Sequence, residues 1–187
     1  MRARDNPFAT ACLRAAPVRF DPAEVDAFHE RFRANGYRGA IVGPHGAGKT
    51  TFIGHIAPDF ERRGWIVRHH HLRIDDRRIP APFTADLGPK TLLILDSVEQ
   101  LGPLAWARFR RRSRAAGGLL ITLHAPARLP TVLTIRPSLA RLTALVRDLA
   151  GPDVDGFEAR LRSLFDEHGG NLHDILRALY DECAASS

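Results

Sequence analysis

The feature that most constrains this chain is a glycine-rich octapeptide that matches the pattern G-x-x-x-x-G-K-[ST]: Gly43, Pro44, His45, Gly46, Ala47, Gly48, Lys49 and Thr50. An apolar run at 37–42 predicts a strand directly before it, and 48–63 has helical composition. Glycines permit conformations in which successive backbone N–H groups turn inward, and the following helix adds its positive end. The octapeptide therefore predicts a loop that binds phosphate groups.

The residues of this loop have separable expected roles toward a nucleoside triphosphate, which we expect to be ATP with Mg²⁺. The backbone from Gly43 to Gly48 binds the phosphates, and Thr51 joins the nucleotide-binding set at the start of the helix. Lys49 reaches the β- and γ-phosphates as a point charge, which gives it a catalytic role as well. The Thr50 hydroxyl is expected to coordinate the metal.

A carboxylate for the metal follows the next apolar strand. Residues 91–95 show no polar alternation, which indicates a strand covered on both faces, and Asp96 comes directly after them. We expect Asp96 to hold Mg²⁺ through its water shell and to accept a hydrogen bond from Thr50. The two segments are then the Walker A and Walker B patterns. The alternative is that Asp96 only caps the helix that follows a core strand.

Strand and helix patterns alternate along most of the chain. Strands are predicted at 37–42, 65–72, 91–95, 118–123 and 131–135, and helices at 21–35, 48–63, 101–116, 138–150, 154–168 and 172–184. This alternation predicts an α/β fold with a three-layer, doubly wound parallel sheet of about five strands and a small C-terminal helical lid. The predicted domains are a linker and helix at 1–36, a nucleotide-binding core at 37–151 and the lid at 152–187.

Composition excludes several classes of function. No stretch approaches the roughly 20 apolar residues of a membrane helix, and no apolar signal core follows Met1, so we expect a cytoplasmic protein without a membrane partner. Cys12 and Cys183 have no metal-ligand spacing and indicate no disulfide scaffold. The triplet His69 to His71 falls on a predicted strand, where neighbouring side chains point to opposite faces, and is interpreted as structural.

The net charge of +6 is weak support for a nucleic-acid partner. Of the 27 basic residues 25 are arginine, a bias that GC-rich coding produces as readily as phosphate binding does. A cluster on the predicted helix 101–116 contains Arg108, Arg110, Arg111, Arg112 and Arg114. It supplies an arginine finger to a neighbouring copy in a homo-oligomer, binds nucleic-acid phosphates, or is a solvated helix face.

The segment from Leu93 to Leu101 resembles the STAND class of signalling ATPases, relatives of the AAA+ group. In that class a small residue, here Ser97, follows the metal-binding aspartate, and the catalytic acid comes two positions later. The resemblance implies that Glu99 polarises the attacking water. A plain salt bridge at the start of the next helix is the alternative.

The resemblance extends to the strand after Walker B and to the C-terminal helices. Both groups place a polar γ-phosphate sensor at the end of that strand, which implies Thr122 and His124 here. The segment from Gly169 to Arg177 looks like the helical lid, with His173 and Arg177 as further sensor candidates. Asn6-Pro7-Phe8 resembles the linker beside the adenine in origin-recognition-type AAA+ proteins.

These patterns together predict a minimal P-loop ATPase of the AAA+/STAND kind that acts as a nucleotide-dependent conformational switch on a protein partner. Two alternatives stay open. One is a nucleotide-binding module with little or no hydrolysis, for which Ser97 directly after Asp96 is the sequence argument. The other is a small-molecule or nucleotide kinase, with the arginines between Arg73 and Arg78 in the place of an arginine-bearing lid.

Overall fold

The computed structural model describes residues 8, 20–150 and 158–185. Its strands are β1 (Arg38–Val42), β2 (Ile66–His71), β3 (Thr91–Asp96), β4 (Gly118–Leu123) and β5 (Thr131–Thr134). Its α-helices are α1 (Pro22–Ala34), α2 (Lys49–Arg62), α3 (Pro103–Arg112), α4 (Leu139–Ala150), α5 (Glu158–Glu167) and α6 (Leu172–Ala185). Short 3₁₀ turns occupy Ala81–Thr84, Val98–Gln100 and Ser113–Ala115.

Local sequence signals explain where α1 begins and ends. The Asp21 side chain accepts a hydrogen bond from the Ala23 backbone N–H at 2.9 Å, and Pro22 occupies the first turn. Asn35 caps the carboxyl end, and Gly36 then adopts a left-handed φ of 62°. The predicted helix at 21–35 is therefore confirmed to within a residue at each end.

The five strands form one parallel sheet in the order β2-β3-β4-β1-β5. Helices lie on both sides of this sheet, so the predicted three-layer α/β architecture is confirmed. The central strands β3 and β4 are buried along their whole length. This burial matches their uninterrupted apolar sequences, whereas the edge strand β2 is only partly covered.

Alternating side chains of the sheet enter different layers of the core. Leu93 and Leu95 of β3 pack in one cluster with Phe109 of α3, whereas Ile94 between them points to the opposite face. The segment predicted as a helix over 101–116 is helical only from Pro103 and tightens into a 3₁₀ turn after Arg112. A proline in the first turn fixes this late start.

The described residues divide into two compact units. One comprises 21–43 and 49–135 and contains the whole sheet with α1, α2 and α3. The other comprises 44–48 and the described parts of 1–20 and 136–187, and therefore contains α4, α5 and α6. The three predicted domain ranges stay a prediction.

The second unit has its own apolar core, in which buried side chains of α4, α5 and α6 pack together with Phe8. The core residues on the helices are Leu142, Val146, Leu161, Leu164, Ile175 and Leu179.

Several sequence-based predictions lie outside the described residues. They concern Asn6-Pro7, Cys12 and the start of the helix predicted at 154–168. Over the part of the chain that is described, no helix is long and apolar enough to cross a membrane.

Candidate functional site

Three loops leave neighbouring strands at the same edge of the sheet. β1, β3 and β4 are adjacent and parallel, so the residues after Val42, Asp96 and Leu123 emerge side by side. Open parallel sheets bind ligands outside the carboxyl ends of their strands. This edge is therefore where the fold places a candidate site.

Asp96 is the most buried acid at this edge, with 1% of its surface exposed. Its Oδ2 accepts a hydrogen bond from Thr50 Oγ1 at 2.6 Å and lies 2.9 Å from His71 Nδ1. Its Oδ1 accepts a hydrogen bond from Thr122 Oγ1. Burial raises the pKa of Asp96, but the hydrogen bonds from Thr122, Thr50 and His71 together lower it by more than burial raises it. The net pKa is therefore below the usual value. The result is a fixed, ionised carboxylate.

The lowered pKa of Asp96 predicts how the free energy of unfolding depends on pH. A carboxyl group whose folded pKa lies below its unfolded value stabilises the fold above the unfolded pKa, which is about 4. That contribution is lost as the pH falls through the folded pKa. We expect the free energy of unfolding to fall more steeply below about pH 4 in the wild type than in Asp96→Asn. Urea unfolding at intervals between pH 6 and pH 3 measures this difference, and parallel curves would contradict it.

Lys49 begins α2 and is 8% exposed. Its Nζ donates a hydrogen bond to the Gly43 backbone oxygen at 2.7 Å. Burial lowers the pKa of Lys49, and the charges of Glu99 and Asp96 act in the opposite direction. The ammonium group therefore lies within the electrostatic reach of both acids that the sequence selects.

Ser97 turns the chain sharply between Asp96 and Glu99. It has a φ of 63°, a left-handed conformation that is uncommon outside glycine, and its N–H donates to Thr122 Oγ1 at 2.8 Å. Strained backbone of this kind is concentrated at functional sites. The hydroxyl of Thr122 thus contacts both the carboxylate of Asp96 and the turn that follows it.

Glu99 lies in the 3₁₀ turn after Ser97 and is 24% exposed. Its Oε1 is 3.2 Å from the Nε2 of His124, the residue that follows β4. Its Oε2 is buried and has no hydrogen-bond partner among the described residues. An acceptor in this position is able to orient a polar molecule such as water.

The predicted sensor residues have different surroundings. Thr122 is fully buried and bonded to Asp96, whereas the His124 side chain is 41% exposed beside Glu99. His173 and Arg177 are both exposed on α6, which belongs to the other compact unit. In this arrangement Thr122 holds the carboxylate of Asp96 by a hydrogen bond. His124, directly after β4, is the sensor candidate of this unit whose side chain reaches the surface.

The tip of the glycine loop belongs to the unit that contains α6. Gly46 and Gly48 have φ values of 70° and 94°, which a side chain would strain. The Leu172 N–H donates to the Gly46 carbonyl oxygen at 3.3 Å, and a Cβ added to Gly46 would lie 1.7 Å from Asn171 Oδ1. The same Oδ1 accepts from the His173 N–H at 3.2 Å, so Asn171 caps α6 while contacting the loop.

Two residues that sequence analysis did not assign to the site contribute to it. His71 contacts Asp96 because the register of β2 and β3 pairs these two positions, and only the strand order reveals this. Arg128 donates to the Leu101 backbone oxygen at 2.6 Å and lies over Trp106 at 5.1 Å. Burial lowers the pKa of Arg128, and the negative charge of Glu99 raises it by a smaller amount. No sequence pattern marks Arg128.

Comparisons with known proteins identify the fold. No protein-family model matches the chain, and the search of curated proteins found no match. A solved structure titled "Structure of Drosophila ORC bound to DNA" is similar over 99% of this chain, with a TM-score of 0.56 and 15% sequence identity. The match covers 61% of that ORC chain. The shared architecture is a parallel α/β sheet of P-loop NTPase-like fold, and at this identity the likeness concerns the fold alone.

Proposed function

We propose that this chain binds ATP with Mg²⁺, hydrolyses it, and acts as a nucleotide-dependent switch on a protein partner. The observation that carries the proposal is the convergence of Lys49, Thr50, Asp96 and Glu99 at the carboxyl edge of the parallel sheet. Each of these residue types is one that triphosphate chemistry requires.

The donor set suits magnesium. Mg²⁺ prefers hard oxygen ligands and keeps several of its waters. The Thr50 hydroxyl and the Asp96 carboxylate, whose oxygens are 2.6 Å apart, offer such ligands. Thr122 and His71 hold the carboxylate in place from behind, as outer partners of metal ligands do.

The proposed phosphate contacts come from Lys49 and from the glycines that precede it in the chain. The left-handed conformations of Gly46 and Gly48 are those that backbone anion nests require. The helix that begins at Lys49 adds a positive dipole end. Thr51 is exposed in the first turn of that helix and remains a proposed nucleotide contact.

Glu99 is the proposed group that polarises the attacking water. One of its oxygens is paired with His124, and the other is buried without a hydrogen-bond partner in the described structure. A simple surface salt bridge would leave both oxygens to solvent, so Oε2 supports the catalytic role. The pairing with His124 also favours a second candidate, a binding module with little turnover, because the imidazole already occupies one of the two carboxylate oxygens of Glu99.

The switch role rests on the resemblance to AAA+ and STAND proteins, in which nucleotide state controls a partner. Homo-oligomerisation and action on nucleic acid remain further proposals. The ORC structure that shares the fold is one bound to DNA, and this is a property of that protein.

Thermal unfolding and phosphate release, measured on the same preparation, test the proposal. Magnesium ATP at a hundredfold over its dissociation constant is expected to stabilise the protein by about 2.7 kcal/mol. AMP and ATP with excess EDTA are the controls, and both should give smaller shifts. Stabilisation with phosphate release supports the ATPase, and stabilisation without release supports the binding module. No shift with any nucleoside triphosphate would refute both.

A further inference from the structure

A cavity lies in the sheet-containing unit, apart from the residues of the proposed nucleotide site. Its volume is about 140 Å³, and it lies between the β2–β3 connection and α3. The floor is apolar and belongs to the core, with Leu101 and Phe109 almost fully buried and Ile79 packed against them. A cavity of about 150 Å³ accommodates a benzene ring, so this one has room for a single large apolar side chain.

The rim of the cavity is strongly positive. Arg108 and Arg112 lie one turn apart on α3, and Arg77 faces them from the β2–β3 connection. The Nε of Arg77 donates to the Ile74 carbonyl oxygen. Within the described residues, none of the three arginines has a carboxylate within ion-pair distance. Three uncompensated guanidinium groups around one opening favour an anionic ligand.

Apolar side chains beside the arginines indicate what kind of anion fits. Ile74 is 76% exposed and Leu104 is 75% exposed, and each lies within four residues of a rim arginine. Proteins that bind single-stranded nucleic acid typically combine a positive groove with exposed aromatic faces on which bases stack. Here Phe109 is buried, and the guanidinium of Arg128 covers Trp106. The surface therefore suits a protein segment better than a nucleic-acid strand.

We propose that this surface, defined by Arg77, Arg108, Arg112 and the cavity between them, binds an acidic segment of a partner protein. A large apolar side chain of that segment enters the cavity, and flanking carboxylates pair with the three guanidinium groups. This assigns part of the arginine cluster on α3 to partner binding. The inference does not depend on nucleotide binding at Lys49.

Fluorescence anisotropy with a labelled hexapeptide, Glu-Glu-Phe-Leu-Glu-Glu, tests the proposal on the full chain. The peptide is expected to bind more weakly as salt increases, and its glutamine analogue should bind at least about tenfold more weakly. Arg108→Glu should weaken peptide binding at least about tenfold. Arg110→Glu, on the same helix but outside the cavity lining, is the matched control and should stay within about twofold.

A second variant tests the cavity without changing charge. Ala105 lines the cavity from an exposed helix position, so Ala105→Trp should fill it and weaken peptide binding at least about fivefold while the melting temperature is retained. Lys49→Ala should bind the peptide as the wild type does, which separates this proposal from the nucleotide site. The proposal is overturned if the peptide does not bind, if Arg110→Glu weakens it equally, or if oligo-dT or inorganic phosphate displaces it at equal concentration.

Discussion

Lys49→Ala is expected to remove most of the stabilisation that magnesium ATP gives to the wild type. The ammonium group is buried at the start of α2, where the charges of Glu99 and Asp96 act on it. A phosphate ligand at this position is expected to gain a charge-assisted hydrogen bond from Lys49. Losing such a contact lowers affinity by roughly a hundredfold. At the ATP concentration that stabilises the wild type by about 2.7 kcal/mol, the variant should then gain only about 0.4 kcal/mol.

The chain offers a matched control for this experiment. Lys90 is the only other lysine of the chain, and the Lys90 Nζ lies over the Trp65 ring at 5.3 Å. Lys90 directly precedes β3, at the opposite end of this strand from Asp96. Lys90→Ala should keep the full ATP-dependent shift in melting temperature. The melting temperature without ligand must be recorded for both variants, because Lys49 also donates to Gly43. An undiminished ATP shift in Lys49→Ala would refute the proposed phosphate loop.

The sheet could be predicted from the sequence because its signals are local. The apolar run of β3, the glycine loop before α2 and the caps of α1 are each encoded within about ten residues. The pairing of Thr50 with Asp96 could also be anticipated, because Asp96 ends β3 at the carboxyl edge of the sheet and Thr50 lies in the helix that follows β1. Local patterns of this kind determine most of the fold and the hydrogen-bonded pair of Thr50 and Asp96 in the candidate site.

The rest of the site depends on non-local geometry. The contact of His71 with Asp96 requires β2 to lie next to β3, and the location of Arg128 requires a left-handed turn with a φ of 68°. The position of Thr122 near a strand end predicts a phosphate sensor. The structure buries it between Asp96 and the Ser97 N–H, because β4 lies beside β3 and their register places Thr122 next to Asp96.

Glu99→Gln is expected to abolish most phosphate release while ATP-dependent stabilisation persists. Glutamine keeps the size of the side chain and loses the basic carboxylate, and a positioned general base contributes roughly 10²- to 10⁴-fold to the rate. Binding should persist because Lys49, Thr50 and Asp96 are unchanged. Single-turnover phosphate release and the ATP shift in melting temperature, measured together, separate the loss of chemistry from the loss of binding.

The contact between Glu99 and His124 requires its own control, because Glu99→Gln changes this contact along with the carboxylate. His124→Gln removes the imidazole and leaves the carboxylate of Glu99, at a position where the imidazole is 41% exposed and its loss should disturb the core little. If Glu99 polarises water, His124→Gln retains phosphate release or increases it, since the carboxylate becomes more available to the water. If the two variants lose phosphate release equally, the contact between the Glu99 and His124 side chains is what hydrolysis requires, and Glu99 is not the base.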